Sequence, residues 1–79
     1  YPNPFNPVTT IDLSLPINGM VSMKVYDISG SEVSTIVHKK MNAGYYEFTW
    51  NASSYSSGVY FIKLVSEDYI KTSKIILIK

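Results

Sequence analysis

Alternation with a period of two runs through almost the whole of this chain. "TTIDLSL" sets Ile11, Leu13 and Leu15 against Thr10, Asp12 and Ser14, "VSMKVYD" repeats the pattern at Val21, Met23 and Val25, and "YYEFTW" places Tyr46, Phe48 and Trp50 opposite Tyr45, Glu47 and Thr49. Side chains on a strand point alternately to its two faces, so each segment reads as a strand with one dry and one wet side. No segment longer than one turn carries a helical stripe, and the β-branched and aromatic content also opposes one. About seven short strands at turn spacings of roughly 8–12 residues imply an all-β, immunoglobulin-like antiparallel β-sandwich. It has no disulfide, because the chain has no cysteine.

Turn residues divide the strands. Pro16 ends the first, and Asn18-Gly19 is a strong hairpin signal before the second. The two strands are sequence neighbours that either pair directly or pass to opposite sheets. "DISGSEV" is a turn in which Asp27 bonds its own backbone and Gly30 takes a positive φ. "EVSTIVH" follows as a strand, "KKMNAG" as a loop, and Trp50 is the expected centre of the core. "NASSYSSG" is a polar loop whose one bulky member, Tyr55, folds back as a plug. "VYFIKLVS" is apolar on nearly both faces and belongs inside a sheet, "EDY" is a tight reversal, and "IKTSKIILIK" runs to the end.

Seventy-nine residues make one small domain, here residues 1–79, with the proline-rich "YPNPFNP" at 1–7 as a stiff lead-in. Phe5 is its expected anchor on the sandwich. Hydrophobic residues are 46% and charged residues 16%, a composition that folds. The longest apolar run, "IILI", is too short to insert in a membrane. A net charge of +1 without any arginine lacks the footprint of a nucleic-acid binder. Neither a charged lead nor an apolar stretch opens the chain, so the signal peptide of an exported parent is expected upstream.

Chemistry-bearing residues are sparse. His38, alone of its kind and beside Lys39 and Lys40, reads as a solvated strand-end residue. Asp12, Asp27, Glu32 and Glu47 are scattered, while Glu67 and Asp68 share a turn without the spacing of a carboxylate pair or calcium loop. The serines at 53, 54, 56 and 57 have no histidine in their segment, and "NAS" at 51–53 is a short glycosylation match. No catalytic residue, metal site or cofactor is expected. Of the seven tyrosines, Tyr26, Tyr46 and Tyr60 suit the core or sheet corners with their hydroxyls on backbone. Tyr45, Tyr55 and Tyr69 are the candidates for an exposed sugar-binding platform.

In order, "YPNPFNPVTTIDLSLP", "VSMKVYDISGSEV", "NAGYYEFTWNAS", "SSGVYFIKL" and "KIILIK" resemble the C-terminal sorting domain of type IX secretion cargo, found in Bacteroidetes and related bacteria. The likeness covers essentially the whole chain and shades into the immunoglobulin-like domain of the flagellar hook-cap scaffolding protein. Two positions depart from it: Ser31, where relatives carry a long polar residue, and Asn51, where aspartate is commoner. The resemblance implies a non-catalytic address label at the end of an exported cargo. Such a label has the upstream cargo in cis, the outer-membrane type IX translocon and a sortase-like peptidase as its partners. The cargo would pass through the periplasm and reach the cell surface or medium.

The chain's two ends bear on this expectation. A proline-stiffened segment that cannot join a sheet suits a joint accessible to a peptidase, and it equally suits an ordinary interdomain linker. In "KIILIK", Ile75 and Leu77 face one way and Ile76 and Ile78 the other. Either this strand is central and covered on both sides, or part of it docks a partner, bracketed by Lys74 and Lys79. Recognition is expected to involve the final strand and the neighbouring "GVYFIKL" arm: Gly58, Tyr60, Lys74, Ile75, Ile76, Leu77, Ile78 and Lys79. The alternatives are an accessory module binding carbohydrate or protein, and a structural spacer.

Overall fold

The structure, a computed structural model, describes residues 8–67 and 69–78. The lead-in at 1–7 with Phe5, the turn residue Asp68 and the terminal Lys79 lie outside the described residues. Six strands are present among those described: β1 (Val8–Leu15), β2 (Gly19–Asp27), β3 (Glu32–Met41), β4 (Gly44–Asn51), β5 (Gly58–Val65) and β6 (Ile70–Leu77). The expectation was about seven. The six segments that read as strands are the six found, the spacing estimate of seven being one too many, and β3 runs longer than its turn signals suggest: Lys39, Lys40 and Met41, expected in a loop, continue it. Met41 is buried there, so its contact with the core holds these residues in the ladder.

Two antiparallel sheets pack as a sandwich, β1-β4 on one side and β3-β2-β5-β6 on the other. β1 and β2 therefore lie in different sheets, and Asn18-Gly19 is not the turn of a hairpin between them. It closes a crossover instead. The Asn18 side-chain oxygen accepts a hydrogen bond from the Ala43 backbone N–H at 2.7 Å, tying the crossover to the two-residue β3–β4 connection. Gly19 admits the Glu67 side chain, which packs where a Cβ would stand and accepts the Met20 N–H at 3.2 Å.

The core follows from the alternation. Leu13, Leu15 and Trp50 from the small sheet meet Val21, Met23, Val25, Ile62 and Leu64 from the large one, with Met23, Val21 and Val25 fully buried. Trp50 sits among Tyr55 and Tyr60, ring centroids 5.4 and 5.7 Å away, the second in edge-on contact. Each such pair adds roughly 0.5–1.5 kcal/mol beyond simple burial. Tyr55 plugs this end of the core as expected, its hydroxyl donating to the Val33 carbonyl at 2.8 Å. Tyr46 and Tyr60 donate to the Asn42 and Ser56 carbonyls at 2.6 and 2.7 Å, the corner arrangement expected for them. Tyr26 differs: it lies on the outer face of the large sheet, between core residue Val25 and the turn.

That turn is held by one carboxylate. Asp27 Oδ1 accepts from the Ser29 hydroxyl at 2.6 Å and from the Ser29 and Ser31 N–H groups at 3.0 Å, while Gly30 takes φ 90°. These bonds, the Ser29 hydroxyl first and the Ser31 N–H second, hold the Asp27 carboxyl below its ordinary value against the opposing effect of desolvation.

Candidate docking edge

β6 is an edge strand. It pairs with β5 along its whole length, Gly58 opposite Leu77, Val59 opposite Ile76, Tyr60 opposite Ile75 and Phe61 opposite Lys74, and no described strand covers its other side. The backbone groups of that free side form the row to which an extended partner adds. The central arrangement, covered on both sides, is therefore not the one found for "KIILIK" among the described strands.

Register decides what each candidate residue presents. Leu77 is buried, Ile75 is half-buried against the core, and Tyr60, the partner of Ile75, is packed against Trp50. These three, with Gly58, belong to the inner side and set the position of the strand. Ile76 is 60% exposed, Ile78 just beyond the strand end is 68% exposed, and Lys74 is exposed on the same outer side as Ile76. Two exposed isoleucines beside an open ladder are what natural edges avoid.

Within the "GVYFIKL" arm the outward residues are Val59 and Phe61 rather than Gly58 and Tyr60, and β2 adds Tyr26 beside them. Val59 and Phe61, opposite Ile76 and Lys74, are half-buried on the outer face, and Tyr26 stands across from Phe61 on β2. The signal was present in "VYFIKLVS", whose second apolar face needs an occupant when the sheet's outside is not covered by another layer. The tyrosines do not form a shared platform, because Tyr55 is turned into the core. Tyr45 is 89% exposed and Tyr69 donates to the Ser14 carbonyl at 3.3 Å; both line a cleft of about 690 Å³ with Asp12, Glu47 and Lys71.

Among the described residues, no group of three or more His, Cys, Asp or Glu side chains is placed to hold a metal ion, and no helix is long and apolar enough to cross a membrane. The model of one protein family, described as the secretion system C-terminal sorting domain, matches residues 1–79. The chain belongs to this family. It is a C-terminal sorting domain of type IX secretion, a kind of domain that is generally non-catalytic and implies export of the cargo joined to it through that system. Comparison with curated proteins and with solved structures finds no match.

Proposed function

We propose that this sorting domain is read by the outer-membrane type IX translocon through β6, its open ladder and the exposed Ile76 and Ile78. The cargo precedes it in cis, reaches the periplasm by the general export route and crosses the outer membrane because the domain is gripped there. A sortase-like peptidase then cuts within or near the lead-in at 1–7 and leaves the cargo at the cell surface or in the medium. The domain itself carries out no reaction. One observation carries the proposal: β6 lies at an edge with isoleucines on its wet side, an arrangement that costs solubility and is relieved by a partner that extends the sheet.

The test is export of a reporter fused to residues 1–79 in a bacterium with type IX secretion. Removing Lys74 to Lys79 would also take Ile75 and Leu77 from the core, so the informative variant is Ile76→Asp with Ile78→Asp. Retention of the reporter inside the cell, with an unchanged circular dichroism spectrum, is the expected result. Undiminished export of the folded variant would refute recognition through this edge.

A second reading has the cleft between Tyr45 and Tyr69 in its favour: an accessory site for carbohydrate on a secreted protein. It requires that the isolated domain bind a polysaccharide and lose that binding on Tyr45→Ala or Tyr69→Ala.

A further inference from the structure

The two faces of the sandwich differ in charge. On the outside of the small sheet Asp12 and Glu47 stand directly opposite each other, with Thr10, Ser14 and Thr49 around them; neither strand of that sheet carries a lysine, and Lys71 of β6 reaches the edge of their cleft. On the outside of the large sheet stand Lys24, Lys40, Lys63 and Lys74, with Glu32 at the margin as the acidic side chain among the described strand residues of that face. Lys24 reaches Glu32 at 3.5 Å. Lys63, directly across from Lys24, and Lys74 make no ion pair among the described residues.

Like charges directly opposite across a ladder destabilise a sheet. The Lys24–Lys63 pair is therefore a cost to the isolated domain that an acidic occupant would convert to attraction. Its setting also restricts the kind of occupant. Lys24 and Lys63 are in the middle of the face, flanked by Tyr26, Phe61, Val59 and Ile76 toward one end of the strands and Met20, Val65 and Ile70 toward the other. A protein seated on a membrane surface puts apolar groups at the centre of its footprint and lets lysines reach outward from the rim. Here the order is reversed, as suits a partner with carboxylates at its centre and apolar ground on either side.

We propose that the outer face of the four-stranded sheet docks an acidic protein surface, with Lys63 and Lys74 as the charged contacts and Phe61 and Ile76 as the apolar ones. The inference rests on the sorting reading and assigns the partner's chemistry: an Asp/Glu-rich patch beside the site that takes β6.

The reporter fusion tests it with Lys63→Glu and Lys74→Glu together, the neutral pair Lys63→Gln and Lys74→Gln, and the opposite-face pair Asp12→Lys and Glu47→Lys. Both outer-face substitutions are at exposed positions, and thermal melting of each variant checks the fold. Export falling at least tenfold for the glutamate pair, less for the glutamine pair and not at all for the opposite face is the expected outcome. A photo-crosslinking residue at Thr72, on β6 directly opposite Lys63 and two residues before Lys74, should then yield an adduct that maps to an Asp/Glu-rich segment of one protein. Equal export of wild type and glutamate pair refutes the charged face while leaving the sorting reading intact; a wild-type fusion that stays inside the cell overturns both. Sedimentation of the domain with vesicles of phosphatidylcholine and 30% phosphatidylglycerol, lost in the glutamate pair, would overturn the protein partner in favour of an anionic membrane. Concentration-dependent self-association lost in either charge-reversed pair would overturn it in favour of a second copy of the chain.

Discussion

Val59 and Ile76 stand directly opposite each other across β5 and β6, on the side of the large sheet turned away from the core. Their neighbours Tyr60 and Ile75, one residue along each strand, form the next pair and point inward. One ladder thus carries a structural face and a free apolar face, separated by a single residue of register. The consequence is that adjacent residues of the last strand should respond to substitution in different ways.

Leu77→Ala should cost about 2–5 kcal/mol, the usual penalty for emptying a buried leucine site. Ile76→Ala should change stability by no more than about 0.5 kcal/mol, because its side chain already meets water. Urea denaturation of the two single variants measures the contrast. Equal losses would mean that the two faces are not distinct.

Trp50→Ala should cost about 3–5 kcal/mol, since it removes the ring between Tyr55 and Tyr60 as well as its buried area. Trp50→Phe should cost clearly less: it keeps a ring, and it deletes the indole N–H, which is buried without a hydrogen-bond partner among the described residues. Thermal melts of both variants give the order, and a Phe variant as unstable as the Ala variant would contradict it.

Asp27 should make the β2–β3 turn acid-sensitive. Its folded pKa lies below the ordinary value of 3.8 because the Ser29 hydroxyl and the Ser31 N–H bond to the carboxylate. Its contribution to stability is therefore complete above the unfolded-state pKa and is lost as pH falls through the lower, folded value. A carbon-detected NMR titration should place the Asp27 midpoint under 3.8, and Asp27→Asn should flatten the acid limb of the stability curve. A midpoint at or above the ordinary value would show that these bonds do not favour the charged form.

Gly30→Ala should destabilise the domain by about 1–2 kcal/mol through backbone conformation alone. At φ 90° a side chain is strained, while nothing lies within 4 Å of the added methyl. Chemical denaturation reads the loss, and a neutral substitution would indicate that the turn adopts another conformation.

Much of this fold was legible because alternation is a local property. Leu13, Val21, Met23, Val25 and Trp50 all turn inward as their spacing requires, and the Asp27–Gly30 turn follows from two residues whose preferences are intrinsic. Asn18-Gly19 leaves the pairing of β1 and β2 open because a dipeptide's bias toward a turn says nothing about which sheet receives the next strand; the Asn18–Ala43 bond spans 25 residues and exists only after the sheets pack. Met41 reads as a loop residue because two charged side chains precede it, whereas Lys39 and Lys40 are exposed positions on the two sides of an edge strand whose Met41 reaches the core. At the candidate site, the facing of Ile75 to Ile78 could be read from alternation. The edge position of β6 could not, since strand order is set by pairing at long range, and with it went the contribution of Tyr26, Val59 and Phe61.

The central claim is that these 79 residues act as an address, and the most direct measurement is the distribution of a passenger protein with and without them. In a type IX secreting host, a periplasm-targeted reporter carrying the domain at its C-terminus should appear at the cell surface or in the medium, whereas the untagged reporter stays in the periplasm. Equal retention of the tagged and untagged reporters, with the domain folded, would contradict the claim.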